Sequence, residues 1–368
     1  MGAVRAHGEQ GLGATTGDVS WERAMTDLRA FVTSHEAVRV GAKSLSVPPE
    51  LRDEFYGLVS CVQAALTEAV LGERMEQAHR VAALCEGVRR SIVDGSALRA
   101  FGLGASLEGF LADPAEALAR PAFSLVLDNL QGRTTDEAME AAARRLIEDA
   151  FAALTRSAYE GWVYYGVVAA LRPRRFWRVD SPDTVEMYPV ETDEVHVGYQ
   201  VTSPERRMPE AVFETADGRI FAMKSEAARE LDYYGVKIER RRDSSAGGNT
   251  AGLLGHRVLL LHALDSVGSV QATVDRQKAR QMPCELMVEV LCPRDMETPA
   301  YVSAFVERIN AVRSRRPVQV VTFGEEGQFP EGMLDDPSVA PVCRRVAGCD
   351  GDVPGAMARL LQPESIAA

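Results

Sequence analysis

The chain has few cysteines, and their spacing does not predict a disulfide framework or a zinc site. Six cysteines occur in 368 residues, and no Cys-x-x-Cys motif is present. Small secreted domains use cysteine much more densely, and structural zinc sites need closely spaced pairs. We therefore expect reduced thiols and a cytoplasmic protein.

Long apolar runs are also absent. The longest, WVYYGVVAAL at 162–171, is about half the length that a membrane-spanning helix needs. Residues 1–18 lack the apolar core of a secretory signal, and we expect them to form a flexible tail. We expect no membrane insertion.

Positive charge is scarce. The formal net charge is -12, whereas proteins that coat nucleic acid are usually basic. Aromatic residues make up only 7% of the chain, but 46% of the residues are hydrophobic. That content is enough for sizeable cores, so the composition excludes global disorder.

The first half of the chain has a helical pattern. Between residues 19 and 172, apolar residues recur every three or four positions, which predicts a helical bundle. The sequence Thr134-Thr135-Asp136-Glu137 predicts the start of the last helix through a capping box. Arg172-Pro173 predicts its end, because a residue before proline disfavours helical geometry.

The pattern changes to strands after this helix. Residues 173–242 alternate between apolar and polar positions, which predicts a small β-rich module, with Asp217-Gly218 as a hairpin turn. Residues 243–255 are rich in Gly and Ser and are interpreted as a linker.

Residues 256–368 are predicted to form an α/β domain. Three short apolar runs, at 257–264, 285–291 and 318–324, alternate with amphipathic segments. Unbroken apolar strands are typical of a parallel sheet with both faces covered, so the pattern predicts a βαβαβ unit. The fold class is therefore α+β and multidomain: an N-terminal helical bundle, a small β-rich middle module and a C-terminal parallel α/β domain.

Polar residues at or just after these three strands predict a site. The carboxyl ends of parallel strands meet at one edge of a sheet, where ligands bind. The carboxylates of Asp265 and Asp295 suit Mg²⁺, and the helix that begins at Ser266 offers N–H groups to a phosphate. The predicted ligand-binding residues are His262, Ser266, Ser269, Arg294 and Glu325. Helix capping by Asp265 and Ser266 is the alternative explanation.

The segment Asp265-Ser266-Val267-Gly268-Ser269, between a predicted strand and a predicted helix, resembles the metal-ion-dependent adhesion site of von Willebrand factor A domains. That pattern is Asp-x-Ser-x-Ser. Asp265 and Ser269 match it, whereas Val267 replaces the middle serine and cannot ligate a metal. The resemblance covers about a dozen residues and implies a cation bound at the end of the first strand.

A basic and aromatic segment follows the last helix of the bundle. It contains Arg172, Arg174, Arg175, Trp177 and Arg178. Arginine forks beside aromatic rings can hold phosphates and stack on bases. Alternatively, the aromatic side chains pack inward and the arginines pair with carboxylates. The net negative charge favours this alternative, so we do not expect a nucleic-acid partner.

Four aromatic residues, Tyr159, Trp162, Tyr164 and Tyr165, cluster near the end of the same helix. Such a cluster can form a protein interface or an internal contact with the β-rich module. We favour the internal contact.

Two functions are compatible with these observations. The first is a non-enzymatic ligand-binding or protein-interaction subunit within a larger cytoplasmic assembly, with other proteins or a second copy as partners. The alternative is a Mg²⁺-dependent enzyme that acts on a phosphorylated or nucleotide-like ligand at the predicted edge. No nucleophile–base signature or cofactor fingerprint is present in the sequence, which favours the first.

Overall fold

The computed structural model describes residues 20–42, 44–180, 188–197, 209, 211–224, 258–273, 284–292, 305, 314–323, 343–346 and 352–361. The fold is mixed, with helices in the N-terminal half and a mixed sheet in the C-terminal part. The helices are α1 (Trp21–Ser34), α2 (Arg52–Leu71), α3 (Arg74–Asp94), α4 (Ala105–Ala112), α5 (Pro114–Ala119), α6 (Phe123–Leu130), α7 (Asp136–Ala170) and α8 (Val353–Leu361). The strands are β1 (Arg39–Gly41), β2 (Ser44–Ser46), β3 (Ala100–Gly102), β4 (Pro173–Asp180), β5 (Tyr188–Thr192), β6 (Glu194–His196), β7 (Ala211–Thr215), β8 (Ile220–Lys224), β9 (Val258–Leu264), β10 (Leu286–Leu291), β11 (Val318–Thr322) and β12 (Cys343–Val346).

Residue contacts divide the chain into two compact units. The first unit combines Met1–Gly72 with Ala119–Ile147, and the second combines Glu73–Leu118 with Glu148–Ala368. In the first unit, α2 packs against α1 and α6. Apolar residues at helical spacing, such as Phe55, Val59 and Val62, are buried along α2, as expected for an amphipathic helix.

Local signals predicted the limits of α7 correctly. The Thr135 hydroxyl accepts a hydrogen bond from the Ala138 N–H (3.3 Å), which caps the start of the helix. The helix ends at Ala170, just before Arg172-Pro173. No single helix among the described residues is long and apolar enough to span a membrane.

One eight-stranded sheet dominates the second unit, with the order β12-β11-β10-β9-β8-β7-β4-β5. The predicted hairpin is confirmed as β7 and β8, and Gly218 in its turn has a φ of 80°. Strands β10, β11 and β12 are parallel, but β9 is antiparallel to both β8 and β10. The prediction of a wholly parallel βαβαβ sheet is therefore wrong for β9.

The two faces of this sheet carry different side chains. The Phe213 face carries Phe176, Phe213 and Phe221, and the Trp177 face carries Trp177, Val212 and Ala222. Aromatic rings in contact connect α7 to the Phe213 face. The ring centroid of Phe101 lies 4.9 Å from that of Tyr165 and 5.8 Å from that of Phe176.

The aromatic cluster of α7 is therefore an internal contact, as we expected. Tyr159, Trp162, Tyr164 and Tyr165 are all buried. The Tyr159 hydroxyl donates a hydrogen bond to the Thr322 carbonyl of β11 (2.8 Å). This cluster anchors α7 to the sheet.

Candidate functional sites

The predicted ligand-binding edge required β9 to run parallel to β10. Instead, Leu261 of β9 pairs with Leu286 at the amino end of β10, and Val258 pairs with Glu289. The carboxyl end of β9 therefore lies at the opposite edge from the carboxyl end of β10. Asp265 is separated from Cys292 by roughly 30 Å along the strand direction, at about 3.3 Å per residue.

The predicted Mg²⁺ site assumed that the carboxyl ends of β9 and β10 lie at one edge of the sheet, and this assumption is wrong. The binding of an ion by Asp265 and Asp295 stays a prediction. Asp295 itself lies outside the described residues, as do Arg294 and Glu325. Within the described part of the chain, no group of three His, Cys, Asp or Glu residues could hold a metal.

The two serines after β9 stabilise a turn. The Ser269 hydroxyl accepts a hydrogen bond from the Ser266 N–H (3.2 Å) and donates one to the Ser266 carbonyl (2.7 Å). Asp265 is exposed. The following Val270 packs into an apolar cluster with Trp177. These contacts place Ser266 at the N-cap of a capping box with Ser269, which agrees with the capping explanation for Ser266.

His262 lies within the sheet and not at its edge. Its side chain is 2% exposed, and its register partner on β8 is Ala222. Burial, together with the nearby charge of Lys224, lowers the pKa of His262 to about 3. The imidazole is therefore neutral at pH 7 and provides no positive charge for an anionic ligand.

Buried polar residues from three other strands share the Trp177 face with His262. They are Lys224 of β8, Glu289 of β10 and Thr322 of β11, each less than 5% exposed. Charged side chains are rarely buried unless they are paired, and Lys224, His262 and Glu289 all have further interaction partners. We call these four residues the buried polar row.

Sequence reasoning identified only His262 of this row. Glu289 interrupts the apolar run of β10. A carboxylate at the centre of a strand that is covered on both faces could have been recognised as a buried charge. Lys224 and Thr322 end short strands, where polar residues are common. The positions of Lys224 and Thr322 in the sequence therefore did not predict that these side chains are buried.

In the basic and aromatic segment, the central arginine is already neutralised. Arg175 pairs with Glu191 (2.7 Å) and Glu214 (3.2 Å), and its guanidinium lies 4.9 Å from the centre of the Trp177 ring. Hydrogen bonding to Arg175 lowers the pKa of Glu191. Because Trp177 and Phe176 are buried, neither ring can stack on a base. For Arg175, Phe176 and Trp177, the alternative of inward packing and ion pairing is thus the arrangement observed.

Two arginines of the segment differ from Arg175. Arg172 and Arg174 are exposed, and among the described residues neither side chain makes an ion pair or a hydrogen bond. Arg172 also has a φ of 48°, a left-handed conformation that no other described residue except glycine adopts. Arg178 is exposed on the Phe213 face, where it pairs in register with Val190.

The exposed large apolar side chains occur in adjacent pairs. Tyr188 and Val190 lie two residues apart on β5, on one face of the sheet, and are 47% and 40% exposed. Tyr56 of α2 and Phe123 of α6 are 41% and 38% exposed, and their rings stack with centroids 6.4 Å apart. We call these the β5 pair and the α2–α6 pair. Neither pair was identified from the sequence.

Comparison with known proteins does not indicate a function for this chain. No protein-family model matches the chain, and searches of curated proteins and of solved structures found no match.

Proposed function

We propose that the chain is a non-enzymatic protein-interaction subunit that works within a larger cytoplasmic assembly. The observation that supports this proposal is the pairing of the exposed apolar side chains. Scattered single apolar residues are normal on a protein surface, whereas contiguous ones mark surfaces that a partner covers. In the described part of the chain, all four large exposed residues belong to the β5 pair or the α2–α6 pair.

The β5 pair is the better docking surface, because β5 is at the end of the strand order among the described strands. An edge strand leaves backbone groups that an extended segment of a partner can bind, while alternate side chains provide specificity. Tyr188 and Val190 would contact apolar side chains of such a segment. Arg178 lies beside Val190 on the same face of the sheet.

The sequence of β5 favours a different protein over a second copy as the partner. In a two-fold antiparallel pair centred on Val190, Pro189 of each copy would face Glu191 of the other. Proline has no N–H to donate, so both reciprocal backbone bonds would be incomplete. A segment of a different protein meets this missing donor only once, whereas a two-fold pair of copies meets it twice.

Binding of an identified partner by matched variants tests the proposal. The tagged full-length chain is recovered from its native lysate, its main partner is identified, and the dissociation constant is measured with purified proteins. We expect the double substitution Tyr188→Thr with Val190→Thr to weaken binding at least ten-fold, or about 1.4 kcal/mol. Threonine keeps a high strand propensity, so the sheet should be preserved.

The control is Val40→Thr, the same substitution in the separate β1–β2 hairpin, where Val40 is half-buried. It should leave the affinity unchanged. Equal affinity of the wild type and the double variant would reject the β5 surface. A chain that is monomeric in the lysate and binds no partner would reject the function itself.

A further inference from the structure

The junction between α7 and β4 has two arginines that pair with no described residue, in a chain that is rich in carboxylates. The sequence has 53 Asp and Glu residues against 41 Lys and Arg residues. Nearby, Arg175 has two carboxylate partners and Arg99 pairs with Asp193 and Glu194. Arg172 and Arg174, which are exposed, pair with no carboxylate of the described residues.

The backbone conformation of Arg172 is unfavourable for an arginine. At a φ of 48° it is in the left-handed region, which costs a residue with a β-carbon roughly 1–2 kcal/mol. Glycine is the usual residue at this position after a helix. Unfavourable conformations of this kind are concentrated at functional sites, where a particular side chain is needed.

The two arginines are held on a fixed backbone. The Arg172 carbonyl accepts a hydrogen bond from the Ala216 N–H (3.2 Å), and the Arg174 carbonyl accepts one from the Ala97 N–H (3.3 Å). Pro173 lies between them and fixes its own φ. The backbone positions of Arg172 and Arg174 are therefore fixed before any ligand arrives.

We propose that Arg172 and Arg174 bind a dianionic phosphate group, either of a monoester or of free phosphate. Guanidinium groups form paired, charge-assisted hydrogen bonds with phosphate oxygens, and two of them match the double negative charge of a monoester. The buried Trp177 and Phe176 leave no ring in this segment for stacking on a base, so the site recognises the phosphate group alone. This site does not depend on the β5 pair or on the proposed interaction function.

Titration calorimetry with inorganic phosphate and with O-phosphoserine, at constant ionic strength, tests the site. We expect saturable binding, with a dissociation constant that rises at least ten-fold in Arg172→Gln and in Arg174→Gln. Tighter binding of O-phosphoserine would identify a monoester of an organic ligand, and equal binding would identify free phosphate. The control is Arg145→Gln, since Arg145 is also exposed on α7 and unpaired among the described residues.

The variant Arg172→Gly distinguishes an effect on phosphate affinity from an effect on the stability of the fold. Glycine relieves the left-handed conformation, so the melting temperature should rise while the affinity for phosphate falls. If the arginines serve only the carboxyl end of α7, whose carbonyls attract cations, the titrations will show no saturable binding to the wild type. That result, or an equal loss of affinity in Arg145→Gln, would overturn the proposal.

Discussion

His262 makes the stability of the fold dependent on pH. Its pKa is lowered to about 3 in the folded chain, whereas an unfolded histidine has a pKa of about 6.5. Between these values the unfolded chain binds a proton that the folded chain does not. This contribution to stability is therefore complete above pH 6.5 and is lost as the pH falls.

We predict that the free energy of unfolding decreases by about 2 kcal/mol between pH 6.5 and pH 5 because of this residue, at about 1.4 kcal/mol per pH unit. Urea denaturation across this range measures the decrease. His262→Gln should remove most of it, whatever its effect at pH 7. Substitution of the exposed His79 by Gln should leave the slope unchanged. An unchanged slope in His262→Gln would mean that the imidazole is not buried as described.

Asp136 connects two parts of the first unit. Its carboxylate accepts a hydrogen bond from Arg29 of α1 (2.5 Å) and another from the buried Asn129 (2.8 Å). Hydrogen bonding to Arg29 and Asn129 lowers the pKa of Asp136, so its contribution is present at neutral pH and is lost in acid as the carboxylate is protonated.

We predict that Asp136→Ala destabilises the fold by about 1 kcal/mol at pH 7, as expected when hydrogen bonds to a charged group are lost. The matched control is Asp53→Ala, in the first turn of α2, because Asp53 has no such partner among the described residues. Thermal unfolding measures both variants. A loss in Asp53→Ala as large as that in Asp136→Ala would show that charge near a helix start, and not the contact with α1, is responsible.

At the level of single residues, the charge balance of the chain predicted side-chain contacts that motif matching did not. The excess of carboxylates correctly favoured the pairing of Arg175 and the inward packing of Trp177. The same argument did not predict that Arg172 pairs with no described residue, because the partners of an arginine depend on tertiary contacts. Ser266 and Ser269 match two explanations in sequence, and the hydrogen bonds between them are those that capping predicts.

Among the elements, α7 contains two glycines that pack closely against neighbouring side chains. A β-carbon at Gly166 would lie 3.3 Å from Val353 Cγ1, and one at Gly161 would lie 3.3 Å from Leu103 Cδ1. Glycine inside a helix costs about 1 kcal/mol relative to alanine, so its presence here needs a packing reason. The close approach of α8 at Gly166 provides one.

We predict that Gly166→Val destabilises the second unit by about 1–3 kcal/mol, because the larger side chain forces α8 away from α7. Gly87→Val, at an exposed position of α3 where nothing lies within 4 Å, is the matched control and should be close to neutral. Chemical denaturation compares the two. Equal losses would show that the contact with α8 is not the cause, since valine has a higher helix propensity than glycine.

The direction of β9 was the element-level error, and its cause is physical. An apolar run shows that a strand is covered on both faces, but it has the same composition whether its neighbours are parallel or antiparallel. The hairpin of β7 and β8 was predictable because a two-residue turn fixes strand direction locally. The direction of β9 depends on longer connections, which carry no such signal.

At the scale of the whole molecule, the sequence predicted the helical N-terminal half and the sheet-containing C-terminal part. It did not show that strands from the predicted β-rich module and the predicted α/β domain share one sheet. That continuity places β5 at the edge of the sheet and β9 in its interior. The exposed β5 pair and the buried polar row are therefore consequences of topology that no local pattern encodes.

We propose above all that the β5 pair binds this chain to a partner protein. Size-exclusion analysis of a native lysate, with detection of the tagged chain, tests it most directly. We predict that the wild type and Val40→Thr elute in a complex larger than the monomer, whereas the chain with Tyr188→Thr and Val190→Thr elutes as a folded monomer. Elution of the wild type as a monomer, or of the double variant in the same complex, would contradict the claim.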